Sequence, residues 1–349
     1  MSKKYAALTP YTPGEQPQDM KYVKLNTNES PYPPSEKAVK YAAEAAGRMQ
    51  LYPDPECREL TEKIADLCGL AYENILVTNG SDEILNFAFM AFCDDKHPAI
   101  FPDITYGFYP VFAELNGIPY KELPLREDFT IDTEKYYSAG ATIFIANPNA
   151  PTGIVLSLSE IEEIVKNNPD NVVLIDEAYV DFGAESALSL IPKYDNLIVT
   201  QTFSKSRSMA GARLGFGAAS AALIQDMNTI KYSTNPYNIN RMTMAAGIGV
   251  LEDEEYTKAN CRKIMETRAY TVAELSKLGF TATDSSANFI FVKHETAGGD
   301  MLYRELKSRG VLVRHFNKPR LSEYLRITIG AREEMQVLID TLKDILGGR

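Results

Sequence analysis

The run VVLIDEAYVDFGAESALSLIPKYDNLIVTQTFSKSRSMAGARLGF, residues 172–216, decides the architecture. It contains the short segments VVLI, LIVT and, continuing to residue 219, LGFGAA, whose apolar positions are consecutive and not alternate. A strand with one wet face alternates apolar with polar; a strand apolar on both sides lies inside a sheet covered on each face. The same texture extends outward: NILVTNG (74–80) precedes the helix-like SDEILNFAFMAF (81–92), and ATIFIANPN (141–149) precedes SLSEIEEIVKNN (157–168). Strands alternating with helices from Tyr72 to about Ala218 predict an α/β unit with a mostly parallel sheet flanked by helices. Ligands of such sheets bind at the carboxyl ends of the strands.

Past Asn240 the pattern changes to long helical stretches. In residues 254–279, Met265, Ala269, Val272 and Leu275 recur at helical spacing, and NFIFVK (288–293), GVLVRH (310–315) and YLRITIG (324–330) read as strands of a second sheet. Residues 1 to about 35 hold Pro10, Pro13, Pro17, Pro31, Pro33 and Pro34, which block regular pairing and helix interiors. The polar run KLNTNESPYPP (24–34) favours an arm that contacts a site. The division expected is an N-terminal arm 1–40, a large domain 41–240 and a smaller α+β domain 241–349.

Composition excludes several classes. The 349 residues suit one large domain with a smaller companion, and 45% hydrophobic with 24% charged is ordinary globular usage. Asp and Glu outnumber Lys and Arg by 47 to 36, a net charge of -11, which is the wrong sign for nucleic acid. Cys57, Cys68, Cys93 and Cys261 are scattered and His97, His294 and His315 are the only histidines, so neither a zinc site nor a disulfide framework is expected. The polar N-terminus and the lack of a long apolar run point to a cytoplasmic protein without membrane contact.

The chemistry concentrates at predicted strand ends. In residues 200–216, Lys205 follows a strand and is accompanied by Thr202, Ser204, Arg213 and glycines. A lone lysine is ordinarily a surface residue; hydroxyls and a guanidinium together can hold a phosphate beside an amine able to form an imine. Asp176 ends an apolar strand and Tyr179 follows it; a buried carboxylate needs a partner, and one use is to keep a pyridine nitrogen protonated, capping of the next helix being the other. Gly80, Ser81 and Asp82 form a strand-to-helix turn suited to an anion or to plain capping. ANPNAPTG (146–153) is a turn with two asparagines, Tyr106 in YGFY (106–109) could stack on a planar ring, and Arg314 and Arg326 sit on strands where each needs an anion, internal or bound.

Taken together, LTPYTPGEQP, KLNTNESPYPP, LYPDP, GSDEIL, DITYGFYP, NPNAPTG, DEAYVDF, TFSKSRSMAGARLGF, VRHF and YLRITIG resemble, in order and spacing, the fold-type I pyridoxal phosphate aminotransferases, nearly end to end. The VR and YLRIT pieces are most similar to the histidinol-phosphate branch of that family. The resemblance implies pyridoxal 5'-phosphate as a Schiff base on Lys205, with Asp176 on the pyridine nitrogen, Tyr179 on the ring hydroxyl and Tyr106 stacked on the ring. It implies a phosphate held by Ser81, Asp82 through its backbone, Thr202, Ser204 and Arg213, joined by Tyr52 from the other subunit of a homodimer. Arg326 is then expected on the substrate α-carboxylate and Arg314 on a distal phosphate, with Asn28 and Tyr32 nearby. Where many relatives have asparagine before Pro-Thr-Gly this chain has Ala150, so Asn149 is the substitute expected for the ring hydroxyl. The implied reaction is ping-pong transamination between an amino donor, histidinol phosphate first, and a 2-oxo acid. Aromatic amino acids as donors and decarboxylation of threonine phosphate are the alternatives, and a binding module without turnover is disfavoured by the intact Lys205.

Overall fold

The computed structural model describes residues 1–347 apart from 3, 4 and 7. Lys3, Lys4 and Ala7 of the polar N-terminal stretch, and residues 348 and 349 of the C-terminal unit, lie outside the described residues.

The large sheet has seven strands in the order Ile75–Thr78, Gly215–Ala219, Leu197–Thr202, Val173–Asp176, Thr142–Ala146, Ala99–Pro102 and Tyr120–Leu123. Only Gly215–Ala219 runs against the rest. Its unbroken apolar runs follow from two cores. Ile143, Ile145, Val173, Ile175, Leu197 and Val199 enter one, with Leu60 and Ile64 of the helix Arg58–Cys68 and Ile161 and Ile164 of the helix Leu158–Lys166. The alternate residues Phe144, Leu174 and Ile198 enter the other, against Ile84 and Phe87 of Ser81–Phe92, Phe112 of Tyr109–Asn116 and Ile224 of Ala221–Thr234. Period two sends successive side chains to opposite faces, and both faces are dry. Each such side chain contributes roughly 1.5–3 kcal/mol of burial.

The smaller sheet is antiparallel, in the order Arg314–His315, Tyr324–Thr328, Phe289–His294 and Phe280–Ala282. Ile290, Val292, Leu325 and Ile327 pack on Ile264, Leu302, Leu338 and Leu342 from three helices, Glu254–Ser276, Gly299–Ser308 and Arg332–Gly347. The expected strand GVLVRH is two pieces. Val311–Leu312 pairs in parallel with Val23–Lys24 of the arm, and Arg314–His315 joins the four-stranded sheet.

The helix Arg241–Leu251 lies past the change of sequence pattern, yet its Ala246 and Val250 share the core of Leu60 and Leu214. A Cβ on its Gly249 would stand 2.7 Å from the carbonyl oxygen of Lys37, so glycine sets how closely this helix meets Glu36–Ala46. Among the described residues, no helix is long and apolar enough to cross a membrane, and no group of three or more His, Cys, Asp or Glu is placed to hold a metal.

Candidate active site

Strand register gathers the functional ends. Ala146 pairs with Asp176, and Thr202 and Thr78 both pair with Gly215. Above this row lies a cavity of about 210 Å³ lined by Ser81, Asp82, Tyr106, Ala150, Asp176, Tyr179, Thr202, Ser204, Lys205 and Arg213. It continues into a second cavity of about 550 Å³ through the shared residues Thr27, Tyr106, Ala150, Tyr179 and Lys205. The larger space is bounded by the arm at Tyr11 and Thr12 and by Arg314 and Arg326 of the smaller unit.

Lys205 stands where the two cavities meet. Its Nζ donates to the carbonyl oxygen of Thr27 at 3.2 Å. Burial pushes its amine down from the usual 10.5 to about 8, Arg326 adds to the effect, and Glu29 and Asp82 oppose it. A neutral amine is the nucleophile, so this position makes Lys205 reactive near neutrality. Between pH 8 and 10.5 the unfolded chain binds a proton that the folded cofactor-free protein does not, so this group makes stability rise with pH in that window. Urea unfolding of cofactor-free parent and Lys205→Met proteins from pH 7 to 10.5 is expected to show that rise in the parent and its loss in the variant; parallel curves count against the depressed amine.

At one end of the smaller cavity is an anion cradle. The helix Ser81–Phe92 begins after Gly80, whose φ is 76° and which supplies no side-chain cap. A Cβ on Gly80 would stand 2.6 Å from Nη2 of Arg213, and one on Gly215 would stand 2.5 Å from the Ser81 nitrogen. Glycine therefore lets the guanidinium, the helix start and the sheet converge. Thr202 donates to Ser204 Oγ at 2.9 Å, and Arg213 reaches the same oxygen at 3.4 Å. Arg213 also pairs with Asp82 at 3.0 Å.

At the other end, Asp176 is 4% exposed. Its Oδ2 accepts from the Tyr109 hydroxyl at 3.2 Å and its Oδ1 from the Ala178 N–H at 3.3 Å. Desolvation, with Asp82 adding like charge, raises its pKa to about 7 despite these bonds. Among the described residues no cation forms an ion pair with this carboxylate, and a protonated pyridine nitrogen would be one. Tyr106 donates to Asp82 at 2.8 Å, and the Tyr179 hydroxyl accepts from Asn28 at 3.0 Å.

Arg314 and Arg326 are directly opposed on neighbouring strands, so both project to one face. Neither pairs with a carboxylate among the described residues. Arg326 donates to the Asn26 carbonyl at 3.0 Å, and its Nε is buried without a hydrogen-bond partner. Among the described residues, Arg314 donates hydrogen bonds to the carbonyls of Pro13 and Thr12 alone, both at 3.4 Å.

Three residues singled out from sequence stand elsewhere. Asn149 is engaged inside its loop: its amide accepts from Thr105 at 2.8 Å and donates to the Ile104 carbonyl at 2.9 Å, while Ala150 faces the cavity. Tyr32 packs with the core of the smaller unit, under Lys263. Tyr52 is 79% exposed and stacks on Tyr237, centroids 4.7 Å apart, outside the lining of either cavity. Sequence reasoning missed Tyr109, Tyr11 and Thr27. Tyr109 and Tyr11 lie inside YGFY and LTPYTPGEQP, but nothing local told which ring would turn toward the site.

A phosphate cradle, a buried carboxylate without an ion-pair partner among the described residues and a lysine amine between them fit the three handles of pyridoxal phosphate, and with the parallel sheet they mark a fold-type I pyridoxal phosphate-dependent enzyme. The chain belongs to the aminotransferase class I and II family, whose model matches residues 20–342. It is 49% identical over 348 residues to the histidinol-phosphate aminotransferase of Brachyspira hyodysenteriae, covering 99% of this chain and 98% of that one. The enzyme of that name from Acinetobacter baylyi is 49% identical over 341 residues, covering 96% and 94%. The crystal structure of histidinol-phosphate aminotransferase from Sinorhizobium meliloti in complex with pyridoxal-5'-phosphate superposes with a TM-score of 0.86 at 24% identity, covering 94% of this chain and 92% of that one, and so shares the fold.

Proposed function

We propose that this chain transfers an amino group between histidinol phosphate and 2-oxoglutarate, a step of histidine biosynthesis, as a cytoplasmic homodimer. The observation that carries the substrate reading is the pair of opposed arginines without carboxylate partners at the wall of the larger cavity. A desolvated guanidinium with an unsatisfied donor is costly unless an anion completes it. Glutamate brings two carboxylates to such a pair: Arg326 takes the α-carboxylate and Arg314 the distal one. Histidinol phosphate has no α-carboxylate, so its phosphate is the anion both guanidinia can share, as forked donors do.

Bound in the smaller cavity, pyridoxal phosphate supplies an aldehyde carbon for amine exchange and a ring that accepts the electron pair left when the donor's Cα proton departs. The chain's residues do the rest. The first-turn backbone at Ser81 and Asp82, with Thr202, Ser204 and Arg213, anchors the phosphate. Asp176 would hold the proton at the pyridine nitrogen, and Tyr106, in the wall of the same cavity, would pack against the ring. Tyr179, braced by Asn28, is the partner assigned to the ring hydroxyl, because the Asn149 amide is already committed. Lys205, with its amine free, would take the proton from the donor's Cα and deliver it to the carbon that had carried the aldehyde, so the proton lost at one atom is the proton gained at the other. Tyr52 is exposed on this chain and reaches the phosphate of a second copy. The arm, the large-sheet unit, which also takes in the helix Arg241–Leu251, and the remainder form the three parts around this site.

Steady-state rates on histidinol phosphate, tyrosine and threonine phosphate test the reading. Histidinol phosphate is expected to be the best donor, and Arg314→Leu to raise its KM by about 10- to 100-fold, the worth of a charge-assisted contact. Negligible turnover of histidinol phosphate, or carbon dioxide released from threonine phosphate without an oxo product, rejects it.

A further inference from the structure

The hydroxyl of Tyr109 is spent at a site that the tyrosine itself never lines. Its side chain is 0% exposed, and its hydroxyl donates to Oδ2 of Asp176 at 3.2 Å. The ring is fixed by Phe101 at 5.6 Å, Phe144 at 5.9 Å and Tyr106 at 5.7 Å, the last edge to face. Tyr106 and Tyr109 are three residues apart, and the Tyr109 N–H closes the turn on the Tyr106 carbonyl at 3.2 Å. One turn thus aims two hydroxyls at two carboxylates: Tyr106 at Asp82, on the rim of the cradle, and Tyr109 at Asp176, beneath the cavity floor.

We propose that Tyr109 is a positioning residue of this site, whose hydroxyl fixes the Asp176 carboxylate and weakens it as a base, so that the proton shared with the cofactor's pyridine nitrogen stays on the ring. A hydrogen bond donated to a carboxylate stabilises its charged form. Without it, the carboxylate in this dry pocket draws the shared proton toward itself, and the ring becomes a poorer acceptor of electrons. The other ionisable groups facing Asp176 are Asp82 from the helix Ser81–Phe92, Lys205 from the loop after Leu197–Thr202, and Tyr106 and Tyr179 beside the cavity. Asp82 disfavours its charge and Lys205 favours it, and the hydrogen bonds from Tyr109 and the Ala178 N–H favour the charged form against its burial. The proposal rests on the cofactor reading above for its chemistry, but the link between Tyr109 and Asp176 does not.

Tyr109→Phe keeps the ring and removes only the hydroxyl. In cofactor-free protein, the upper midpoint of the pH window in which stability falls, where folded Asp176 ionises and the fall levels off, is expected to move up by roughly one pH unit. At pH 5, where Asp176 carries its proton in both, parent and variant are expected to unfold alike. The same substitution in an Asp176→Asn background moves nothing, which separates this link from general packing. In protein loaded with ring-15N pyridoxal phosphate, the nitrogen resonance is expected to shift toward the unprotonated ring, with kcat down about tenfold and KM little changed. An unmoved pH midpoint overturns the link between the two residues. A moved midpoint with an unmoved nitrogen resonance overturns its role toward the ring. Failure of the parent to take up the cofactor strikes the functional reading and leaves the cofactor-free result standing.

Discussion

Lys205→Ala is expected to lower turnover of any amino donor by about 10⁴-fold or more, because one side chain carries two duties. On the proposed reading its amine is the covalent anchor for the aldehyde and, once displaced, the base for the donor's Cα proton. Thr27 offers a carbonyl and Tyr179 a ring 5.9 Å from the amine, and neither can accept that proton. The change should leave the fold intact. Among the described residues Lys205 makes one hydrogen bond, to the Thr27 carbonyl, and its burial as a cation is itself unfavourable.

The experiment pairs oxo-acid formation with the visible spectrum of the loaded protein. The variant should bind the cofactor through the phosphate cradle and show the spectrum of the free aldehyde, and an added small primary amine should restore part of the rate. Retention of more than about a hundredth of parental turnover, the low end of acid–base catalysis, would exclude Lys205 from both duties.

Five of the seven strands of the large sheet are readable because they are apolar at consecutive positions, as a doubly covered sheet requires, whereas the edge strand Tyr120–Leu123 is mostly exposed and carries no such run. The site is readable for a related reason. Asp176, Thr202 and Lys205 abut apolar runs, where a polar residue either caps a turn or meets a ligand. What resists reading is set by contacts far apart in the chain. Val23–Lys24 pairs with Val311–Leu312 across nearly the whole sequence, and this splits GVLVRH into two strands that local alternation cannot foresee. The helix Arg241–Leu251 is glycine-rich and apolar, which suits close packing on either unit; the contact of Gly249 with Lys37 assigns it to the core of the large sheet. The amides of ANPNAPTG read as equivalent, and only the Ile104 and Thr105 contacts turn Asn149 away from the cavity that Ala150 faces. Tyr106 and Tyr109 differ by one helical turn, and the sheet beneath decides which ring lines the cavity.

Asp176→Asn is expected to change activity and stability in opposite directions. The amide is nearly the same shape and can still accept from Tyr109, so the pocket should persist. It cannot balance a positive charge at the pyridine nitrogen, and loss of that preorganised electrostatic support should lower kcat by about 10²- to 10³-fold with a small effect on KM. In cofactor-free protein the sign reverses. The folded-state pKa of Asp176 is raised to about 7 from an ordinary 3.8, so between those values the native state holds a proton that the unfolded chain has lost. Parental stability therefore falls as pH rises through that window, and the asparagine variant lacks this fall. At pH 8 the variant should be the more stable of the two without cofactor and the less active with it. That is the signature of a residue kept for chemistry at the expense of the fold. Denaturant unfolding at pH 5 and 8, beside kcat on the loaded enzymes, checks both halves. A variant that is destabilised at pH 8, or that turns over at the parental rate, contradicts a carboxylate left without its cation until the cofactor arrives.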